Sequence, residues 1–236
     1  MASRTEASLR RQGYHHGNLR EALVAAARGL IAERGPAGFT LVEAARMAGV
    51  SPAAPYRHFK DRDALVAEIR RRGFEEFARR MIAAGAGAGH GPQEGFERMG
   101  NAYLAFAREE PGYYGAMFMP GPATTAPAGS NADVVTFGAL EAAVGRIIGA
   151  GAGEGGEQRR LAFLVWALSH GIATLWAAGF PPSEEGATPE DLLRSGVMNL
   201  IRGAGIGFPA TVREPAKATA APRHRQPAKS KRVPRS

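Results

Sequence analysis

The sequence predicts an all-α fold, and three observations support that prediction. Apolar residues recur at spacings of three and four along most of the chain, which is the period of a helix with one buried face. No segment of the sequence shows the convincing alternation of apolar and polar residues that marks a half-buried strand. Capping residues and Gly or Pro breakers divide the helical pattern into segments of ordinary helix length.

Length and composition exclude several classes of protein. The chain has 236 residues, of which 44% are hydrophobic, so it can bury a core. It contains no cysteine, which excludes disulfides, thiolate metal sites and cysteine nucleophiles. The most apolar stretch, 161–180, is interrupted by Ser169, His170, Thr174 and glycines, and no charged-then-apolar leader opens the sequence. We therefore expect a cytoplasmic protein without a membrane span.

Charge is distributed unevenly along the chain. Residues 1–72 carry a net charge of +6, residues 73–212 carry −5, and residues 213–236 carry +7. Basic ends around an acidic middle indicate a polyanionic partner for the ends, and nucleic acid is the commonest such partner.

Local signals place the first two helices. The first helix is predicted from Leu19 to Arg34, with Asn18 as its N-cap and Gly35-Pro36 as its stop. Thr40-Leu41-Val42-Glu43 has the form of a capping box, which predicts that a short second helix starts there. We expect it to run through Ala48.

A tight turn leads to the third helix. Gly49 is predicted to end the second helix with a positive φ, and Ser51 and Pro52 have the residue types of an N-cap and a first helical position. The third helix is expected to run to about Phe59, whose side chain packs inward. Pro55 conflicts with a regular helix because it lacks an N–H, although the first turn tolerates it better than the interior would.

The remaining helices follow from the same signals. Asp61 is expected to cap a fourth helix that fades between Gly85 and Gly91, with one buried row formed by Leu65, Ile69, Gly73, Phe77 and Met81. Five further helices are predicted near Gln93–Glu110, Gly112–Met119, Ala132–Ile148, Gly156–Ala178 and Pro189–Arg202. The predicted organisation is a flexible basic arm (1–13), a three-helix domain (14–62), a larger helical domain (63–208, the first helix connecting) and a disordered basic tail (209–236).

The first three helices match a helix-turn-helix arrangement, in which the third helix enters the DNA major groove. We call residues 51–60 the recognition segment. An ordinary αα-corner explains the bare pattern almost equally well, and the basic N-terminal segment together with the closely spaced helix stops and caps favours DNA binding. The residues available to face DNA are Ser51, Ala53, Ala54, Tyr56, Arg57 and His58.

These residues also carry a family resemblance. Tyr14-His15-His16-Gly17-Asn18-Leu19-Arg20, Gly49-Val50-Ser51 and Tyr56-Arg57-His58-Phe59 together resemble the TetR family of bacterial transcriptional regulators. Trp166-Ala167-Leu168-Ser169-His170-Gly171 resembles the W-x-x-x-H-G motif of one C-terminal subclass of that family. The resemblance implies an all-α homodimer with an N-terminal helix-turn-helix DNA-binding domain and a C-terminal domain that binds a small inducer and dimerises.

The resemblance also assigns roles within the DNA-binding half. Thr40, Tyr56, His58 and Lys60 match positions that usually hold phosphates, and Ser51, Ala53, Ala54 and Arg57 match positions that touch bases or nearby phosphates. Because the other side chains are small, we expect direct base hydrogen bonds chiefly from Arg57 and methyl contacts from Ala53 or Ala54.

The two ends leave alternatives open. Arg4, Arg10 and Arg11 either reach a minor groove or phosphates, or belong to a disordered solubilising end. The tail arginines and lysines either add salt-sensitive affinity for DNA or form a solvated charge run.

The acidic middle is expected to be the sensor domain. Most of its aromatic side chains belong to an ordinary core, and an interior His170 is more often bonded to a backbone carbonyl than to a ligand. Gly171, inside a helix, suggests a close helix approach, and the last two helices are expected to form the dimer. The residues predicted to line a ligand site are Phe106, Tyr113, Met117, Phe118, Trp166 and His170.

Other chemistry is not expected. His15, His16 and His58 have no acidic or cysteine partner at ligand spacing, so we predict no metal site and no cofactor. The glycine clusters follow no strand and lack a phosphate-loop motif, and no nucleophile elbow or carboxylate dyad indicates an enzyme. Two hypotheses remain: a ligand-responsive repressor that binds a pseudo-palindromic operator as a homodimer, and a nonspecific, architectural DNA binder driven by its basic tail and arm.

Overall fold

The computed structural model describes residues 19–86, 91–118, 131–149, 156–180 and 186–203, the side chains of 131–134 excepted. These residues form α-helices and one short 3-10 helix, Ala54–Arg57, and contain no strand, which confirms the all-α prediction. The predicted bounds of the five last helices agree with the structure to within one residue at each end. The helices are α1 Leu19–Arg34, α2 Leu41–Met47, α3 Arg62–Gly85, α4 Pro92–Glu109, α5 Pro111–Phe118, α6 Asn131–Ile148, α7 Gly156–Ala177 and α8 Pro189–Gly203.

Local capping signals in the N-terminal half form as predicted. The Thr40 hydroxyl accepts a hydrogen bond from the Glu43 amide (3.2 Å), and the Glu43 carboxylate accepts one from the Thr40 amide (2.8 Å). Gly49 has a φ of 72°, as the turn after α2 requires. The Asp61 carboxylate accepts a hydrogen bond from the Ala64 amide (2.8 Å) and caps α3.

The predicted third helix is wrong in type and start. Ser51 does not cap it through its side chain: the Ser51 carbonyl accepts from the Ala54 amide in a turn (3.0 Å), and the helix is a 3-10 helix that begins at Ala54. Pro55 explains the difference, because without an N–H it cannot donate the α-helical bond to Ser51. The Pro55 carbonyl in turn accepts from the amide of Phe59 (2.9 Å), and both side chains are buried.

Two apolar cores organise the described residues, and α3 contributes to both. Leu65 and Ile69 of its first half pack with α1 and α2 in the N-terminal core. Phe77 and Met81 of its second half pack with the C-terminal helices. The predicted domain boundary at residue 62 therefore coincides with the start of a helix that joins the two cores.

Helix α5 packs closely on two neighbours. A Cβ built on Gly112 would lie 2.2 Å from the carbonyl oxygen of Arg28 in α1, and a Cβ on Gly73 of α3 would lie 2.8 Å from the sulfur of Met117. The close approach predicted at Gly171 is not found, since nothing among the described residues lies within 4 Å of a Cβ built there. Glycine thus permits the close packing of α5 on α1 and α3, whereas the glycine of α7 permits no such contact among the described residues.

An ion-pair network also fixes α1 against α3. Glu68 pairs with Arg20 of α1 (2.9 Å) and with Arg71 (2.9 Å) and Arg72 (2.7 Å) of its own helix. Hydrogen bonds from these arginines, chiefly Arg71, hold the pKa of Glu68 well below its usual range. Arg72 also pairs with Glu21, so the two helices are connected by charge as well as by the apolar core.

Several predictions fall outside the described residues. They include the basic arm, the Asn18 cap, most of the first family motif, residue Met119 and the basic tail. One described helix, α7, is long and apolar enough to cross a membrane by length and composition alone, a test that core helices of soluble proteins also pass. Here α7 packs against α4, α6 and α8.

Candidate functional site

The recognition segment presents its polar side chains outward. Pro55 and Phe59, four residues apart, are buried and attach the segment to the N-terminal core. Between and around them, Ala54 is half-buried, and seven of the eight predicted DNA-facing residues are exposed: Thr40, Ser51, Ala53, Tyr56, Arg57, His58 and Lys60.

Three cations around this segment are exposed and form no ion pair in the part of the chain that the structure describes: Arg46, Arg57 and Lys60. Other arginines of the N-terminal half are paired, for example Arg28 with Glu110 (3.4 Å) and Arg34 with Glu43 (3.0 Å). Unpaired, exposed cations are the groups that can bind phosphate without first breaking a protein contact. Arg46, in the last turn of α2, was not singled out from the sequence.

The Thr40 side chain has a structural role at this surface. Its hydroxyl lies 3.0 Å from the Glu43 carboxylate, which also accepts from Arg34. The Thr40 hydrogen bonds, backbone first, lower the pKa of Glu43. A phosphate contact from Thr40 would therefore share the hydroxyl with the capping box.

A cavity of about 490 Å³ lies within the C-terminal helices. Residues of α3 to α8 surround it, and its volume is in the range of sites that bury most of a small organic ligand. Most of its aromatic wall was not predicted, because a helical apolar face shows that a residue is buried but not what lies opposite. The aromatic residues on the wall are Phe74, Phe77, Phe96, Tyr103, Phe118, Phe137 and Trp166.

Three of the six predicted ligand-site residues line the cavity: Met117, Phe118 and Trp166. The other three do not. Phe106 is fully buried against Phe77, with ring centroids 5.1 Å apart. Tyr113 packs against α1 instead, where the Arg28 guanidinium is 4.9 Å from its ring centroid.

His170 lies behind the cavity wall in a polar cluster. Its Nδ1 atom is 3.0 Å from the Tyr103 hydroxyl and 2.9 Å from the Tyr114 hydroxyl, so it is bonded to side chains of α4 and α5 and not to the expected backbone carbonyl. The ring of Phe118 meets the imidazole edge-on at 4.9 Å. Burial lowers the pKa of His170 and raises the pKa of Tyr103, which favours the neutral form of each.

Helix α5 connects the cavity to the N-terminal core. Met117 and Phe118 line the cavity, while Ala116 is buried in the N-terminal core. Tyr113 packs against both cores. A single helix of eight residues therefore contacts both the cavity and α1.

Comparison with known families gives two matches. Residues 23–69 match the family described as bacterial regulatory proteins, tetR family, and residues 96–200 match the tetracyclin repressor-like C-terminal domain. Together the two matches cover more than half of the chain. This chain belongs to the TetR family. It is a transcriptional regulator with a DNA-binding helix-turn-helix domain, as predicted, and its recognition segment lies within the first match.

Solved structures show the same fold as this TetR-family chain. A protein of unknown function from Rhodococcus sp. RHA1 is 31% identical and aligns over 81% of this chain and 98% of its own, with a TM-score of 0.62. A regulatory protein of the tetR family from Rhodococcus RHA1 is 18% identical over 82% of this chain and 99% of its own, with a TM-score of 0.62. The TetR-family regulator PfmR from Thermus thermophilus is 18% identical over 76% of this chain and 97% of its own, with a TM-score of 0.56. The comparison with curated proteins gave no match.

The described residues of this TetR-family chain contain no group of three or more His, Asp or Glu side chains that could hold a metal ion. His15 and His16 lie outside that part of the chain.

Proposed function

We propose that this protein is a repressor that binds a pseudo-palindromic operator as a homodimer and is released by a small, largely apolar inducer. The two-sided position of α5 is the observation that carries this proposal. An inducer that contacts Met117 and Phe118 acts on the helix whose other side packs against α1. The inducer must have different affinities for the DNA-bound and released states, since only that difference shifts their populations.

DNA contacts are proposed for the exposed face of the recognition segment. Tyr56, His58 and Lys60 hold phosphates, with Thr40 at the start of α2, and Arg57 provides the direct hydrogen bonds to bases. Ser51, Ala53 and Ala54 lie at bases or nearby phosphates, where small side chains allow close approach. The exposed cation Arg46 adds a phosphate contact that the sequence did not indicate.

Dimerisation is proposed through α7 and α8. Helix α7 and the residues after it expose large apolar side chains, among them Phe163 (54%), Leu175 (57%) and Phe180 (69%). Burial of exposed apolar side chains of this size against a second copy of the chain is energetically favourable. In a symmetric dimer the two recognition segments would meet half-sites about 34–36 Å apart on one face of the DNA.

DNase footprinting of the purified full chain on the region beside its own gene tests the proposal. We expect a short, symmetric protected site that persists at physiological salt, because base contacts add to the salt-sensitive phosphate contacts. Diffuse protection that disappears as salt rises would contradict a specific repressor and favour the architectural alternative.

A further inference from the structure

One polar group on the cavity wall lacks a partner. The side-chain amide nitrogen of Gln93, near the start of α4, is buried and has no hydrogen-bond acceptor among the described residues. Two buried hydroxyls on the wall are satisfied: Ser169 donates to the Val165 carbonyl (2.9 Å), and the Tyr103 hydroxyl lies 3.0 Å from His170 Nδ1. Burying a donor without an acceptor costs its desolvation free energy, and a ligand that supplies an acceptor removes that cost.

The arginines on the wall already have partners among the described residues. Arg159 pairs with Glu141 (3.4 Å), Arg194 pairs with Asp191 (3.1 Å), and the Arg70 guanidinium lies 5.6 Å from the Phe74 ring centroid. Glu190, also on the wall, pairs with Arg108 (3.2 Å). Glu97, one helical turn after Gln93, also lines the cavity and would repel an anion beside the amide. An ionised group would lose water here without gaining a charged partner, so an uncharged ligand is favoured.

The aromatic rings favour an aromatic ligand in particular. Their pairs on the wall are mostly edge-to-face or tilted, as for Phe74 and Phe118 (5.7 Å, 79°) and for Phe137 and Trp166 (6.1 Å, 67°). Such pairs turn both ring faces and ring edges toward their surroundings, and an aromatic guest can meet either.

We propose that the cavity binds an uncharged aromatic molecule with one hydrogen-bond acceptor, such as an aryl ketone, and that the acceptor is bound by the Gln93 amide. This assignment rests on the proposed inducer function of the same cavity. Gln93 is then a specificity-determining residue.

Equilibrium dialysis of the full chain against three probes of matched shape tests this proposal. The probes are 2-acetylnaphthalene, 2-ethylnaphthalene and 2-naphthoate. We expect the ketone to bind about fivefold to tenfold more tightly than the hydrocarbon, as one neutral hydrogen bond provides, and the carboxylate to bind at least about a hundredfold more weakly than the ketone.

Two variants show whether Gln93 is responsible. Gln93→Leu is expected to abolish the difference between ketone and hydrocarbon while retaining binding of the hydrocarbon. Asn101→Leu is the matched control, since Asn101 is an exposed amide on the same helix and the same wall, and it should preserve the difference.

The outcomes separate this assignment from the proposed function. Equal binding of ketone and carboxylate, an unchanged ratio in Gln93→Leu, or no binding of any probe would overturn the ligand class. If the footprint of the unliganded protein stays sharp in those cases, the DNA-binding function stands without this ligand. If the footprint is diffuse although the ketone binds through Gln93, the ligand class stands and the repressor proposal fails.

Discussion

Pro55 and Phe59 show how single residues divide the recognition segment between fold and binding. Their side chains are buried, so the residues beside them are directed outward. Arg20 of α1 reinforces this attachment, with its guanidinium 5.5 Å from the Phe59 ring centroid. The exposed Arg57 is consequently presented from a backbone that is fixed on both sides.

Arg57 and Lys60 are expected to differ in what they recognise. Arg57→Ala should reduce discrimination between operator and unrelated DNA by about 1–3 kcal/mol, because it removes a base contact. Lys60→Ala should weaken binding to operator and to unrelated DNA equally, because it removes a phosphate contact. It should also reduce the slope of log K against log salt concentration by about one. Fluorescence anisotropy at several salt concentrations measures both effects. Equal weakening of all sequences by Arg57→Ala would instead identify it as a phosphate contact.

His170 is expected to make stability depend on pH. The groups that face it, Tyr103 of α4 and Tyr114 and Phe118 of α5, are uncharged, and burial lowers its pKa below the ordinary 6.5. The unfolded chain therefore binds a proton that the folded chain does not. The free energy of unfolding should fall as the pH drops below about 6.5, by at most about 1.4 kcal/mol per pH unit, until the pH reaches the folded-state pKa.

Urea unfolding between pH 7 and pH 5 measures this dependence. The paired carboxylates stay ionised in that window, since the arginines lower the pKa of Glu76 to about 2. His170→Gln removes the titrating group and should flatten the profile. If the free energy of unfolding depends on pH equally in His170→Gln and in the natural protein, this explanation is wrong.

At the scale of elements, α5 is a second helix, besides α3, that links the two cores. It contacts α1, α3 and α4, and its first turn touches the α1 backbone at Gly112. The ion pair of Arg28 with Glu110, directly before α5, lies at the same junction. Because of this direct contact, we expect α1 and α5 to move together.

Gly112→Ala tests the close contact between these helices. The added Cβ would lie 2.2 Å from backbone of Arg28, so a backbone shift is required, and we expect a loss of about 1–3 kcal/mol in the free energy of unfolding. Gly29→Ala is the control on α1, because nothing in the described part of the chain lies within 4 Å of its Cβ, and it should stabilise the protein by up to about 1 kcal/mol. Urea denaturation compares the two. Equal stability of the Gly112 variant and the natural protein would mean that the helices are not in backbone contact.

At the scale of the whole molecule, exposed apolar surface on α7 supports assembly into a dimer. Leu175→Glu places a charge at a side chain that is 57% exposed, and it should convert the proposed dimer to a monomer. Ile82→Glu, at a side chain on α3 that is 46% exposed, should leave the assembly unchanged. Light scattering after size-exclusion chromatography gives the mass of each variant. A dimeric Leu175→Glu protein would place the interface elsewhere.

The sequence by itself determined the all-α class, the helix bounds and the caps of α2 and α3. These features depend on residues within a few positions of one another, such as Thr40 with Glu43, so the local pattern carries the information. The residue types of the recognition segment were likewise evident from the sequence alone. Its 3-10 geometry was missed because the effect of Pro55 on the preceding turn outweighed the capping signal at Ser51.

Only the tertiary structure decided which buried groups face the cavity. Phe106 and Phe118 have the same residue type and lie in neighbouring helices, yet one is enclosed by the core and the other lines the cavity. Gln93 gave no sequence signal, because an unpartnered amide becomes significant only when its surroundings are known. A cavity is the space that several packed helices leave unfilled, and that space depends on side chains far apart in the sequence.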